Sequence, residues 1–373
     1  MSNRKRRNSP PATWSPAVWK SVLLRARVFH SKYGDHLWLD ITLLGEHHIK
    51  HNLREVYDIC HYFLGVDPIK EWIPVRPAQH YTMGGIRTDY RGESRQLKGL
   101  FAAGECACWD MHGFNRLGGN SVAETVVAGM IVGEFIADFC EKPENEIDLP
   151  TSIVYDFARK VQDELNGFLH NTGNEDAVKI RTRMQEIMTS KIGIFRNEKQ
   201  MSEAVDELQQ LLERSYNISV KNDIGNNPQL VYAYRTRKML KVALTVACGA
   251  LARKESRGAH SREDYPRRDD VNWLKRTITT WKDPKSTVPD ISYEDLDIST
   301  MELPPGFRGY GAKNYIENPE SVRRQKEVDD IRAKMEAEGK DRFAIQNALM
   351  PYEDKLPKRL RGRNERTYEP LAD

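Results

Sequence analysis

Residues 112–124 read His-Gly-Phe-Asn-Arg-Leu-Gly-Gly-Asn-Ser-Val-Ala-Glu, setting one guanidinium and a glycine pair directly before a helix start. Ser121 and Glu124 have the Ser-x-x-Glu spacing of a capping box. Val122, Val126, Val127, Met130 and Ile131 then recur at helical spacing. Gly118 and Gly119 let the backbone come close to a bound group with no Cβ in the way. A helix N-terminus offers unpaired N–H groups and a partial positive charge, and Arg116 adds a full charge beside it, so the chemistry suited to this spacing is holding an anion. An ordinary capped helix after a glycine loop has the same spacing, and on spacing alone the two readings stand level.

The residues upstream favour the anion site. Gly99 to Glu105, Gly-Leu-Phe-Ala-Ala-Gly-Glu, is a short apolar run that predicts a buried strand ending in an acid. An acid at such a strand end can accept hydrogen bonds from a ribose. Before it, His80 to Asp89 reads His-Tyr-Thr-Met-Gly-Gly-Ile-Arg-Thr-Asp, a histidine beside a Gly-Gly turn. With these motifs together, HYTMGGI, GLFAAGEC and HGFNRLGGNS, the chain resembles the flavoprotein subunit of fumarate reductase and succinate dehydrogenase from about Tyr33 onward. Tyr33 to Asp40, Cys108 to His112, Ser256 to His260, Pro305 to Lys313 and Ile345 to Tyr352 look like the branch linked to a di-haem cytochrome b.

The resemblance implies interconversion of fumarate and succinate with FAD as hydride carrier. It implies that His80 and Arg116 clamp one substrate carboxylate, a task guanidinium suits because it can make two parallel hydrogen bonds. It places Gly104 and Glu105 near the FAD ribose, and Ser121 and Val122 at the flavin pyrimidine edge. The partners it implies are an iron–sulfur subunit and, through the complex, a membrane cytochrome b, with the chain peripheral at the cytoplasmic face of the inner membrane.

Other family features are missing. The fingerprint Gly-x-Gly-x-x-Gly occurs nowhere in the sequence, nor does the segment whose histidine bonds to FAD. The chain therefore resembles only the C-terminal portion of a longer protein, with an incomplete FAD site, and is expected to be inactive alone. The family's proton donor, an arginine in Arg-Asp-x-Val-Ser-Arg, would by spacing fall at Ala12. There the chain reads Ala-Thr-Trp-Ser-Pro, the peptide that the codons CGC GAC ATG GTC TCC CGC for Arg-Asp-Met-Val-Ser-Arg would give if read one nucleotide late, so the expectation is a shifted reading frame at this point. No residue matches the proton donor.

Positioning these residues calls for an α+β, multi-domain fold: the C-terminal part of an FAD-binding α/β domain, a helical bundle and a small C-terminal α+β domain. Residues 1–33 form an unmatched basic segment, and 34–79 a remnant of the capping domain with a strand at Leu37–Ile41 and a helix at Glu46–Phe63. Residues 80–141 hold the FAD-binding part. Residues 151–256 show helical stripes joined by short loops, the mark of an antiparallel bundle, the last helix opening at Asn227-Pro228. In residues 257–373, strands are expected near Thr277–Trp281 and Asp290–Ile298, and a helix from Asn318-Pro319 to Gly339. Ser256 to His260 with Arg262, Asp269 and Asp270 is a dense polar cluster; a salt-bridge network explains it at least as well as catalysis, so it is assigned no chemistry.

Composition agrees. The 373 residues are 39% hydrophobic and 30% charged with net charge +3, which makes no case for nucleic-acid binding. No apolar run reaches the roughly 18 residues of a membrane span. The five cysteines include no Cys-x-x-Cys pair, so no metal or iron–sulfur site is expected. Two other readings remain: a non-catalytic module that docks the iron–sulfur subunit through its helices, and an L-aspartate oxidase-like flavoenzyme fragment.

Overall fold

The computed structural model describes residues 29–76, 80–221, 225–299, 301, 304, 315–350, 355 and 357. The basic N-terminal segment, Ala12, and the motif at 305–313 lie outside the described residues. Chain contacts divide it into two compact units, Met1–His80 and Tyr81–Asp373.

In the first unit, β1 (Phe29–Ser31), β2 (Gly34–Leu39) and β3 (Ile73–Val75) form an antiparallel sheet in the order β1-β2-β3. Trp38 sits opposite Pro74. The single helix expected from Glu46 to Phe63 is instead α1 (Glu46–Asn52), α2 (Arg54–Ile59) and a π turn, Cys60–Leu64, that ends on Gly65. Leu53, with φ −124°, is the break: its backbone leaves the helical region. Ile49, Cys60, Val66 and Ile73 are among the buried apolar residues described in this unit.

The second unit opens with a parallel pair, β4 (Ile86–Arg87) against β5 (Ala107–Cys108). Gly99 to Glu105 is not the strand its apolar run predicts. Phe101 makes one isolated bridge to Glu93, and Gly104–Cys106 is a 3-10 turn. A strand needs a continuous ladder to satisfy its backbone, and here a bridge and single bonds such as Ala102 N–H to Gly92 C=O take its place. Then comes α3 (Ser121–Cys140), starting directly after the glycine pair. Its stripe is bared: Val122, Val126, Val127 and Met130 are all exposed, while Glu124, Ala128 and Val132 are buried.

Helices α4 (Thr151–His170), α5 (Ala177–Lys191), α6 (Glu198–Arg214) and α7 (Pro228–Ala252) make the bundle. Asp176, Asn197 and Asn227 cap the last three, each side chain accepting from an N–H of the first turn. The core holds Phe168, Ile180, Ile187, Met201, Leu208, Leu212, Leu240 and Leu244. Burying each such side chain is worth about 1.5–3 kcal/mol, which explains why these stripes specify the bundle.

Beyond the bundle, β6 (Phe195–Arg196) pairs in parallel with β7 (Ser261–Arg262), and β8 (Arg268–Asp269) with β11 (Tyr315–Ile316). Between them β9 (Lys275–Thr280) and β10 (Asp290–Asp295) form an antiparallel hairpin in which Ile278 faces Ser292. The chain continues in α8 (Pro319–Ala337), capped by Asn318, and α9 (Arg342–Leu349).

Candidate active site

Arg116 lies on a loop, residues 109–120, that has no regular structure of its own. Asn120, not Ser121, is the N-cap of α3, and no side chain caps it. The Ser-x-x-Glu spacing therefore does not form a capping box. Ser121 Oγ instead accepts from Arg116 Nη1 at 2.6 Å, drawing the guanidinium to the helix start. Gly119 has φ +78°, a conformation that other L residues resist. No Cβ placed at Gly118 or Gly119 would meet an atom within 4 Å, so this approach is open. Arg116 is half-buried, and no carboxylate pairs with it among the described residues. A guanidinium, a hydroxyl and the first-turn N–H groups of α3 thus converge on one open face.

Glu124 does different work. Its carboxylate is buried and accepts from Tyr81 Oη at 2.6 Å, Trp109 Nε1 at 2.8 Å and His112 Nε2 at 2.9 Å. Burial pushes its pKa up, but the bonds from Tyr81, Trp109 and His112 outweigh that and hold it below the usual range. Burial, followed by the bond to Glu124, drives the Tyr81 phenol above its ordinary value. Leu117 N–H donates to His112 Nδ1 at 3.3 Å, which fixes the proton on Nε2. Glu124 therefore ties the loop to the helix that Arg116 serves. Sequence reading misses this role because Tyr81 is 43 positions away. The signal that could have found it is an acid in an apolar helix, downstream of residues with polar tips.

Two further anchors hold the same loop. Asp110, the one non-glycine residue with positive φ among those described, accepts from Arg276 Nε at 2.6 Å and lies 3.6 Å from Arg87 Nη1. Glu294 binds Arg87, Arg95 and Arg276, each at about 3 Å by ordinary hydrogen-bond geometry, and so joins β4 to the β9–β10 hairpin. The third anchor is at Phe114, whose carbonyl accepts from Ala259 N–H at 2.7 Å.

The other sequence-derived site residues are placed as follows. Glu105 Oε1 accepts from Thr82 N–H at 2.9 Å, and Gly104 lies against Thr125 in the first turns of α3. Val122 is exposed on that helix. His80 is exposed and ends the first unit. Gly104, Glu105, Arg116 and Ser121 are thus gathered around the start of α3 within the second unit. No group of metal-ligating side chains occurs among the described residues, and none of the described helices is long and apolar enough to cross a membrane.

A short parallel pair, β4–β5, leads into the start of α3 and is followed by a helical bundle, and comparison with known proteins assigns this frame to the FAD-dependent flavoproteins. Residues 22–122 match the family described as "FAD binding domain", and residues 181–310 match "Fumarate reductase flavoprotein C-term". The chain belongs to the fumarate reductase flavoprotein family. It is 49% identical over 365 residues to the fumarate reductase flavoprotein subunit of Helicobacter pylori (strain ATCC 700392 / 26695), covering 90% of this chain and 50% of that one. It is 40% identical over 283 residues to the corresponding subunit of Escherichia coli (strain K12), covering 75% and 46%. A solved quinol–fumarate reductase with menaquinol molecules superposes with a TM-score of 0.70 at 36% identity, covering 77% of this chain and 49% of that one. The chain spans about half the length of the curated relatives it matches.

Proposed function

We propose that this chain supplies the substrate-clamp and flavin-edge portion of a flavoprotein that interconverts fumarate and succinate. The observation that carries this reading is Arg116, drawn to the start of α3 by Ser121 and unpaired with any acid among the described residues. FAD, when bound, supplies the hydride. Arg116 binds one carboxylate of the dianion and orients the alkene. The N–H groups of Ser121 and Val122 and the dipole of α3 favour negative charge at the flavin edge. Glu105, with Gly104 beside it, would accept from a ribose hydroxyl. The donors present fit these parts of FAD; the pyrophosphate would rest on a Gly-x-Gly-x-x-Gly turn, which this sequence lacks. The whole subunit would join an iron–sulfur subunit and a membrane cytochrome b at the cytoplasmic face of the inner membrane.

The test is Arg116→Lys in the chain assembled with a dinucleotide-binding half. Lysine keeps the charge but loses the two-pronged geometry, so fumarate-dependent oxidation of reduced viologen should fall about 100-fold. Unchanged turnover would remove Arg116 from the clamp.

A second reading rests on α4, where Ile153, Val154, Phe157 and Val161 are exposed on its first half. Such a face suits a module that docks an iron–sulfur subunit. Co-purification with that subunit in the absence of flavin would favour it.

A further inference from the structure

We propose that the turn Ser256–His260 is the positioning element for Arg116, acting through the backbone of Phe114 two residues before it. This rests on the clamp role given to Arg116 above. The tip of the turn presses on the loop at one point. Ala259 N–H donates to the Phe114 carbonyl at 2.7 Å. Gly258 has φ +59°, and a Cβ there would lie 2.6 Å from that same carbonyl oxygen and 2.7 Å from its carbon. Backbone meets backbone at this point, so no flexible side chain can give way. The Arg253 guanidinium carbon stands 4.4 Å from the Phe114 ring centre, covering the residue from a second direction.

The turn is itself braced on every side. Arg257 and His260 exchange N–H···O=C bonds at 2.8 and 3.0 Å, closing the tip. Glu255, fully buried, binds Arg253 and takes Arg257 Nε at 2.8 Å and Asp269 N–H at 2.9 Å. Arg257 reaches Asp270 at 2.6 Å, and Ser256 Oγ accepts from Arg262 N–H at 2.8 Å. His260 Nδ1 accepts from Arg196 Nη1 at 2.8 Å, and its Nε2 faces the Arg253 carbonyl at 3.3 Å. A charged cluster of this density could serve folding alone. The turn's contact with the site loop, however, centres on Phe114, through its carbonyl and through the ring faced by Arg253 and His260. None of these residues reaches Arg116 by any described bond, so their influence on it is through the loop.

The experiment compares Gly258→Ala with Gly339→Ala. Gly339 has a similar φ of +68°, but a Cβ added there would meet nothing within 4 Å, so it reports backbone strain without the collision. Amide exchange of peptides spanning 109–117 is read in the full chain, and steady-state kinetics in the chain assembled with a dinucleotide-binding half. Gly258→Ala should speed exchange over 109–117 and raise the KM for fumarate about tenfold with a smaller change in kcat, because a displaced Arg116 weakens binding of substrate and transition state alike. Gly339→Ala should do neither. Phe114→Ala, which trims only the ring under Arg253, carries the same readouts should Gly258→Ala fail to fold. Unchanged exchange and KM in Gly258→Ala, or equal loosening in both glycine variants, would overturn the proposal. Loosened exchange specific to Gly258→Ala, in an assembled protein that never reduces fumarate, would support the brace and remove the function proposed above.

Discussion

The helical bundle and the polar collar around residues 253–270 are both buried, yet they are held by opposite physics. In the bundle, Leu208, Leu212, Leu240 and Leu244 are fully enclosed among other apolar side chains. Their attraction is non-directional, so it places helices without fixing any one dihedral. In the collar the fully enclosed side chains are Arg253, Glu255, Arg262 and Asp270, each aimed at named partners. Arg262 Nε and Nη2 grip the Asp264 carboxylate at 2.7 and 2.8 Å while Nη1 reaches the Arg253 carbonyl at 3.0 Å. Packing suffices to assemble a scaffold. A loop without regular structure, such as 109–120, needs directional bonds if its one guanidinium is to face a fixed way.

The comparison can be broken most severely at Glu255. Glu255→Ala leaves Arg253 and Arg257 without their shared carboxylate, and loss of one partner from a buried pair costs about 3–5 kcal/mol. Urea unfolding followed by circular dichroism should show it; a loss below about 1 kcal/mol would mean the collar is not the stabilised element described. In the bundle, Leu208→Ala should cost about 3 kcal/mol in the same assay, from lost transfer energy and the cavity left behind. It should leave exchange of the 109–117 peptides unchanged, since apolar packing does not aim that loop.

Acid separates the two regions without mutation. Burial, then the positive charge of Arg196, lowers the His260 pKa from 6.5 to about 3. A depressed histidine is neutral in the folded chain while the unfolded chain binds a proton, so its contribution is complete above pH 6.5 and lost progressively down to about pH 3. At pH 5 the loss is about 2 kcal/mol. Glu124 and Asp264, both depressed, lose their contributions only at lower pH, as pH falls through the carboxylate range. Exchange at residues 253–262 should therefore quicken between pH 7 and 5 while the bundle core stays protected; equal loosening in both would erase the distinction. The smallest effect is local to the bundle. Asn227→Ala removes the bond to Leu230 N–H and should cost about 1 kcal/mol by thermal unfolding.

The same contrast explains what can be read in the amino-acid order. The bundle is legible because its signals are local: 3.6-residue stripes, and Asn-Pro pairs at 227–228 and 318–319 that open α7 and α8. The start of α3 after Gly118 and Gly119 is legible for the same reason. Glu124 reads as a capping partner, yet its true partners, Tyr81, Trp109 and His112, are set by tertiary contacts. The apolar run before Glu105 has the residues of a strand, but a ladder depends on neighbours that a run cannot specify. The Ser-Arg-Gly-Ala-His cluster is visible as polar density. Its point of contact is not, since nothing near Gly258 in sequence names Phe114.

The three donors gathered on Glu124 also determine what the loop cannot do. Glu124 holds its charge to lower pH than a free carboxyl, and Tyr81 holds its proton to higher pH than a free phenol. The proton on His112 stays on Nε2 because Leu117 occupies Nδ1. Around neutrality Glu124 therefore keeps its charge and Tyr81 its proton, so neither of these two groups is poised to pass a proton on. Under the function proposed above, a proton delivered to carbon beside Arg116 would come by a route other than Glu124 or Tyr81.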